Sequence, residues 1–136
     1  MDIAVIIVQN SKKRFYVHQR KEDKWMYPSL YGLGAGGKIE EGESPIDAAK
    51  RELKEELDIE SNLESLFKFS YDYPDKTTRI VHVFRTMFDG EIKNSCNREF
   101  KWCGWMTIAE LDELSDENKL CPDTKIFYLK YKKEYL

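Results

Sequence analysis

The chain has 136 residues and a formal net charge of −3 at pH 7. This length fits a single domain, residues 1–136, with a hydrophobic core of its own. The acidic balance provides no basic field for nucleic acid or an anionic membrane, which argues against both as partners. No apolar run approaches ~20 residues, so the sequence predicts no membrane-spanning segment.

The cysteines and histidines predict no metal centre. Cys96, Cys103 and Cys121 form no CxxC pair and are odd in number. This pattern argues against a disulfide framework and a zinc site, and it favours a reducing compartment, the cytoplasm. His18 and His82 each lie in a strand-like run, and we interpret them as packed or surface groups.

The first quarter of the chain predicts a hairpin followed by a long connection. Residues 3–8 form a continuous apolar run typical of a buried strand, and residues 15–19 alternate like a second strand. Residues 20–31 read as an aromatic loop that is either a lid over the core or a wall facing a substrate. Residues 32–37 are glycine-rich, and we expect a loop in which the backbone closely approaches another backbone or a ligand.

A helix is predicted from Pro45 onward. Ser44 stands at the N-cap position, Pro45 follows at the first helical position, and Asp47 lies three residues past the cap. Apolar residues then recur at helical spacing at Ile46, Ala49, Leu53 and Leu57.

Three glutamates crowd one flank of this helix. At ~100° per residue, Glu52, Glu55 and Glu56 fall within an arc of roughly 100° beside the apolar stripe. Like charges at this spacing destabilise a helix by roughly 0.2–0.5 kcal/mol per pair. Two interpretations stay open: a solvated face balanced by Lys50, Arg51 and Lys54, or a site for a hard divalent cation, which prefers carboxylate oxygen.

The stretch from Gly37 to Ile59 resembles the signature of the Nudix hydrolases. That signature is a glycine, five free positions, a glutamate, seven free positions, then Arg-Glu-aliphatic-any-Glu-Glu-any-Gly-aliphatic. A chance match of eight such positions is on the order of 10⁻⁸ per placement. Asp58 departs from it, standing where the family has glycine, and we expect a left-handed backbone there at the helix end. The matching residues are Gly37, Glu43, Arg51, Glu52, Leu53, Glu55, Glu56 and Ile59.

The resemblance implies a hydrolase that uses water to cleave a diphosphate linked to another group. Its cofactor would be Mg²⁺, with Mn²⁺ possible, and its partner a small-molecule diphosphate. By resemblance, Glu52 and Glu56 are the primary metal ligands, Glu55 is a further one, and Gly37 offers its backbone carbonyl.

The resemblance also assigns roles beside the metal ligands. One of the three helix glutamates, or Glu99 from a later loop, would act as general base. Arg51 is expected to pair with Glu43 and hold the preceding loop against the helix. A simple pair between Arg51 and Glu55, one helical turn apart, is compatible with that role.

The second half of the chain predicts strands and two further helices. We expect helices on both faces of a mixed sheet, an α/β fold of the α/β/α sandwich type that the Nudix resemblance implies. The predicted strands are residues 62–73, 78–88 and 102–106, with a polar loop over 91–100 and helices after Thr107 and over 124–135.

Two other functions stay open. Residues 18–37 resemble the isopentenyl diphosphate isomerase-like branch of the family. Those isomerases use a cysteine before the signature stretch, which here is Gly37–Ile59 and is called the box below, whereas no cysteine of this chain precedes Cys96. A non-catalytic Nudix module that binds a nucleotide or protein would not need the intact glutamate set. The sequence leaves the substrate, the identity of the base and the oligomeric state open.

Overall fold

The computed structural model describes residues 1–92 and 99–136. These residues form seven strands and three helices. The strands are β1 (Asp2–Gln9), β2 (Phe15–Arg20), β3 (Tyr31–Leu33), β4 (Ala35–Lys38), β5 (Glu64–Asp72), β6 (Thr78–Met87) and β7 (Phe100–Met106), and the helices are α1 (Pro45–Leu57), α2 (Ile108–Asp116) and α3 (Pro122–Tyr135).

The strands form one mixed sheet that divides at β1 and β2. The central order is β3-β2-β1-β6-β5, with β4 added to β1 and β7 added to β2. β1 runs parallel to β6, and the other pairs are antiparallel. β1 and β2 pair at Gln9 and Phe15, but further along β1 pairs with β4 whereas β2 pairs with β3 and β7. The sheet therefore opens into a wedge between these two groups of strands.

Helices cover both faces of this sheet, because β1 is apolar on both sides. Ala4, Ile6 and Val8 pack in the core cluster that contains the buried residues of α1. Ile7 packs in a second cluster with the buried residues of α2 and α3. Successive side chains of a strand point to opposite faces, so one uniformly apolar strand supplies both cores. The predicted α/β/α sandwich is confirmed.

The glycine-rich segment differs from its prediction as a loop. It contains the short strands β3 and β4, which join at Gly34. Gly34 has φ +60°, and a Cβ there would clash with the carbonyl oxygen of Ile6. Glycine is therefore required where the chain passes from β3, which pairs with β2, to β4, which pairs with β1.

The ends of α1 agree with the sequence. The Ser44 hydroxyl accepts a hydrogen bond from the Asp47 N–H at 3.2 Å. At the other end Asp58 has φ 55° and ψ 40°, the predicted left-handed conformation, and its N–H donates to the carbonyls of Leu53 and Lys54.

The start of β7 and the state of Cys103 differ from what the sequence predicts. β7 begins at Phe100 rather than at residue 102, and the part of the predicted polar loop at residues 93–98 lies outside the described residues. Cys103 is disulfide-bonded, so the expectation of no disulfide is wrong for this residue. Within the described ranges, no helix is long and apolar enough to cross a bilayer.

Candidate active site

A cavity of about 300 Å³ lies where the sheet divides. β1 and β4 line it with Ile3, Val5 and residues 35–38, and β2 and β3 line it with His18 and Leu33. The first turns of α3 and parts of two loops complete its wall. The wedge thus creates a pocket with backbone of glycine-rich strands on one side and side chains on the others.

Glu56 is the box carboxylate that lines this cavity. Its Oε2 accepts a hydrogen bond from the Gly36 N–H at 3.2 Å. Burial, together with the nearby charges of Glu52 and Glu99, raises the pKa of Glu56 to about 8. The pKa of Glu52 is also raised by burial, against the opposing effect of Arg51. Two half-buried carboxylates one turn apart therefore favour either a proton or a cation between them.

Arg51 holds the loop before α1 against the helix. Its Nε and Nη2 donate to the two Glu43 carboxylate oxygens at 2.8 and 2.9 Å, and Nη2 also donates to the Lys38 carbonyl at 2.9 Å. These Arg51 hydrogen bonds lower the pKa of Glu43 to about 2. Nη1 reaches Glu52 at 2.9 Å and Glu55 at 3.4 Å. The two pairs expected from the sequence, with Glu43 and with Glu55, therefore form together.

Gly37 leaves room beside Glu52. A Cβ at Gly37 would clash with the Glu52 carboxylate. Glu52, beside this glycine, and Glu56, one turn further along α1, offer carboxylate oxygens, the ligand type that a hard divalent cation prefers. Within residues 1–92 and 99–136, no three His, Cys, Asp or Glu side chains converge as a metal cluster. Glu55 differs from Glu52 in exposure: the Glu55 side chain is 59% exposed, against 13% for Glu52.

Glu99 joins the site from a different element. It is exposed, stands immediately before β7 and lines the same cavity as Glu56. Its charge contributes to the raised pKa of Glu56. Glu56 therefore has two other carboxylates near it, Glu52 on the same helix and Glu99 before β7. Together with the glycines of β4 we call them the carboxylate site.

A second group of polar and aromatic side chains lines the cavity, and of its members the sequence analysis had singled out only the loop that contains Tyr27. We call Tyr27, Tyr73, Arg79 and Asp123 the aromatic–acidic cluster. The Tyr73 hydroxyl donates to Asp123 Oδ2 at 2.8 Å, and the Arg79 guanidinium lies 4.7 Å from the Tyr73 ring centroid. These residues come from a loop, the β5–β6 turn, β6 and the start of α3, so no local pattern could have grouped them.

The aromatic loop contributes to the wall in part. Met26 and Tyr27 line the cavity, and the Met26 carbonyl accepts a hydrogen bond from Arg20 Nε at 2.8 Å. Trp25, in contrast, is 73% exposed. The interpretation of this loop as a substrate-facing wall is therefore favoured for Met26 and Tyr27.

Two further cavity residues are held neutral by burial. The His18 Nδ1 lies 3.1 Å from the Gly34 carbonyl, and burial lowers its pKa to about 4. Cys121 lines the cavity as a free thiol whose pKa burial raises to about 12. A thiol with a raised pKa is a poor nucleophile at neutral pH.

Comparison with known proteins identifies the same family that the Gly37–Ile59 stretch resembles. The NUDIX domain model matches residues 1–127. An 8-oxo-dGTP diphosphatase of Escherichia coli is 33% identical over 113 residues, which cover 82% of this chain and 84% of that protein. An uncharacterized Nudix hydrolase of Streptomyces coelicolor is 35% identical over 112 residues, covering 81% of this chain but only 61% of that protein.

Solved structures share the fold. A MutT protein from Methanosarcina mazei superposes with a TM-score of 0.79 at 20% identity, covering 98% of this chain and 94% of that one. The NUDIX domain of Shewanella oneidensis NrtR, solved with ADP ribose, has a TM-score of 0.79 at 14% identity, covering 100% and 88%. At these identities the likeness establishes the architecture, not the ligand.

Proposed function

This chain belongs to the Nudix family, and from that membership we propose that it hydrolyses the diphosphate linkage of a nucleotide-linked or similar small molecule with the aid of a divalent metal ion. The observation that carries the proposal is the Glu52–Glu56 pair beside the glycines of β4, with Glu56 lining the cavity. The similar 8-oxo-dGTP diphosphatase supports the same reaction class.

We assign the cation to Glu52, Glu56 and the Gly37 carbonyl, with Glu55 as a further ligand. Mg²⁺ is the expected ion and Mn²⁺ an alternative, since both take carboxylate and carbonyl oxygens. When bound, such an ion neutralises the charge of a diphosphate and lowers the pKa of coordinated water. A cation also resolves the electrostatic conflict at Glu56, whose pKa of about 8 is raised in part by Glu52 and Glu99.

The protein's own side chains orient the reacting groups. Arg51 holds Glu52 through Oε1 and ties the Glu43 loop to α1, so the carboxylate geometry does not depend on one side chain alone. The Gly36 N–H fixes one oxygen of Glu56. We propose Glu99 or one of the helix glutamates as the general base that accepts a proton from the attacking water.

The rest of the cavity would hold the group attached to the diphosphate. Arg20 and Arg79 line it as cations, and Tyr27 and Tyr73 line it as aromatic groups. Aromatic and basic side chains together suit a phosphorylated ligand with a ring system. A nucleotide or nucleotide sugar is therefore our first choice of substrate class.

A direct test is an assay panel of diphosphate compounds run with Mg²⁺ and with Mn²⁺, with all products identified. The panel should include nucleoside triphosphates, nucleotide sugars, dinucleotides, a prenyl diphosphate and a 5′-triphosphorylated RNA oligonucleotide. In ¹⁸O-labelled water, hydrolysis at phosphorus places the label in a phosphate product, and chelation should stop turnover reversibly.

The alternatives predict different results in the same panel. An intact, unlabelled prenyl diphosphate with a shifted double bond would identify the isomerase-like enzyme. Tight binding of one compound without turnover would identify a binding module. The single domain over residues 1–136, the cytoplasmic location and the oligomeric state stay predictions or open questions, and the disulfide at Cys103 weakens the cysteine argument for a reducing compartment.

A further inference from the structure

Glu99 stands immediately before β7, where the ladder between β7 and β2 begins with an irregularity. It precedes β7, which pairs with β2 from Arg20↔Phe100 onward. The register between these strands shifts between Gln19 and Arg20, so the pair next to Glu99 follows an irregularity in the ladder. Such a bulge disrupts the ladder hydrogen bonds locally. Side-chain contacts can therefore add to the ladder in holding this end of β7.

A ring stack supplies that support. The Phe100 ring lies on the His18 imidazole, with centroids 4.2 Å apart and planes inclined by 29°. Both side chains line the cavity that Glu56 and Glu99 also line. Phe100 is the residue directly after Glu99, so fixing its ring fixes one end of the peptide that carries the carboxylate.

The imidazole is itself held in place. Its Nδ1 lies 3.1 Å from the Gly34 carbonyl, at the junction of β3 and β4. On its other side Gly32 pairs with His18 across the ladder, and a Cβ there would clash with the ring. Glycine at residue 32 thus makes the slot in which the ring lies, and Phe100 covers it.

From these contacts we infer that His18 and Phe100 are positioning residues, which hold Glu99 at the carboxylate site through the ring stack. This inference rests on the proposed hydrolase function for its catalytic consequence, but the positional part stands on the contacts alone. The stack connects Gly34, where β3 passes to β4, with the strand end that carries Glu99. The contacts that place this carboxylate therefore come from β2, β7 and the β3–β4 junction.

The positional part is tested without substrate. Replacing Phe100 with leucine keeps an apolar side chain but removes the stack, whereas Phe100→Tyr keeps an aromatic ring on His18. ¹⁵N relaxation should show a lower backbone order parameter at Glu99 in Phe100→Leu and a wild-type value in Phe100→Tyr. Trp102→Leu is the matched control, because Trp102 lies on the same strand but contacts Tyr31 edge-on. An unchanged Glu99 order parameter in Phe100→Leu overturns the inference.

The catalytic part is tested with a double-mutant cycle on whichever diphosphate the panel identifies. We expect Phe100→Leu to lower kcat about 10-fold with KM nearly unchanged, since small misplacements of reacting groups have effects of this size or larger. In a Glu99→Gln background the same change should alter kcat less than about two-fold, because the two residues act as a unit.

The outcomes separate this inference from the proposed function. Equal effects of Phe100→Leu in both backgrounds, or full activity of Glu99→Gln, overturn the inference and leave the hydrolase intact. If the wild-type protein hydrolyses no compound, the proposed function fails, while the relaxation measurement still decides whether the stack positions Glu99.

Discussion

The carboxylate site and the aromatic–acidic cluster line one cavity but differ in how the chain builds them. Glu52, Glu56 and Gly37 come from one continuous stretch, in which a strand, a loop and a helix follow one another. Tyr27, Tyr73, Arg79 and Asp123 come from separate segments spread along the chain. The proposed metal ligands are thus encoded locally, whereas Glu99 and the residues that would select the substrate depend on the complete fold.

The difference follows from what each region must do. A cation site needs a few oxygens at helical spacing, and Arg51 and Gly37 within the same stretch provide the support. A surface for a larger organic group needs area, and separate elements must converge to supply it. Substitutions at the two regions should therefore fail in different ways.

The largest expected effect is at the carboxylate site. Glu52→Gln and Glu56→Gln should each lower kcat by roughly 10²–10⁴ without unfolding the protein, because each removes a metal ligand or a base. Steady-state kinetics at saturating Mg²⁺ would measure this, and a circular dichroism spectrum would check the fold. Glu41→Gln, at an exposed position in the preceding loop, is the matched control. Near wild-type turnover of either variant would refute its assigned role.

The next effect is on stability as a function of pH. The pKa of Glu56 rises from 4.5 to about 8 in the folded, metal-free protein. Between these values the folded state keeps a proton that the unfolded state releases, so this group's stabilisation is complete below about pH 4.5 and is lost as the pH rises through 8. At about 1.4 kcal/mol per unit of pKa shift, the change is on the order of a few kcal/mol.

Urea unfolding at a series of pH values, with divalent metal chelated, would measure how the free energy of unfolding depends on pH. Glu56→Gln should flatten this part of the profile and be more stable than the wild type at pH 8. Added Mg²⁺ should reverse the trend, because the cation binds the ionised carboxylate. A wild-type profile that matches Glu56→Gln between pH 5 and 8 would contradict the raised pKa.

The carboxylate site and the aromatic–acidic cluster also show how much of the structure can be predicted from the sequence. The Ser44 cap and the left-handed Asp58 follow from local rules, and the structure agrees with them. Of the predicted apolar stripe of α1, Ala49, Leu53 and Leu57 are buried, but Ile46 in the first turn is 37% exposed. The strands within the glycine-rich segment were missed because their pairing with β1 and β2 is not visible locally. Asp123 was missed for the same reason: its partner Tyr73 lies 50 residues away in sequence.

A smaller effect is expected at the aromatic–acidic cluster. Asp123→Asn keeps the side-chain shape but removes the charge beside Tyr73 and the cavity. We expect KM to change by about 10-fold for some members of the diphosphate panel and little for others, since one hydrogen bond to a charged group is worth about 1.5–3 kcal/mol. Comparing kcat/KM across the panel would measure it, with Asp116→Asn, at an exposed position outside the cavity wall, as the control. A uniform fall in kcat would place Asp123 with the chemistry instead.

The smallest effect concerns Asp58, the one departure from the family signature. Its left-handed backbone favours glycine by roughly 0.5–1 kcal/mol, but its carboxylate also lies 2.6 Å from Lys54 Nζ, with both side chains more than half exposed. An exposed pair of this kind contributes about 0.3–0.5 kcal/mol. The two contributions oppose each other, so Asp58→Gly alone should change the free energy of unfolding by less than about 0.5 kcal/mol.

A cycle with Lys54→Gln separates the two contributions at Asp58. In that background the ion pair is absent, and Asp58→Gly should then stabilise the protein by the full ~0.5–1 kcal/mol of backbone relief. Activity should not change in any of the four proteins, because Asp58 and Lys54 lie outside the cavity wall. If Asp58→Gly destabilises the protein even without Lys54, the aspartate must contribute through a contact other than this pair. Local sequence rules would then be insufficient even within the box, and the contrast between the two regions would narrow.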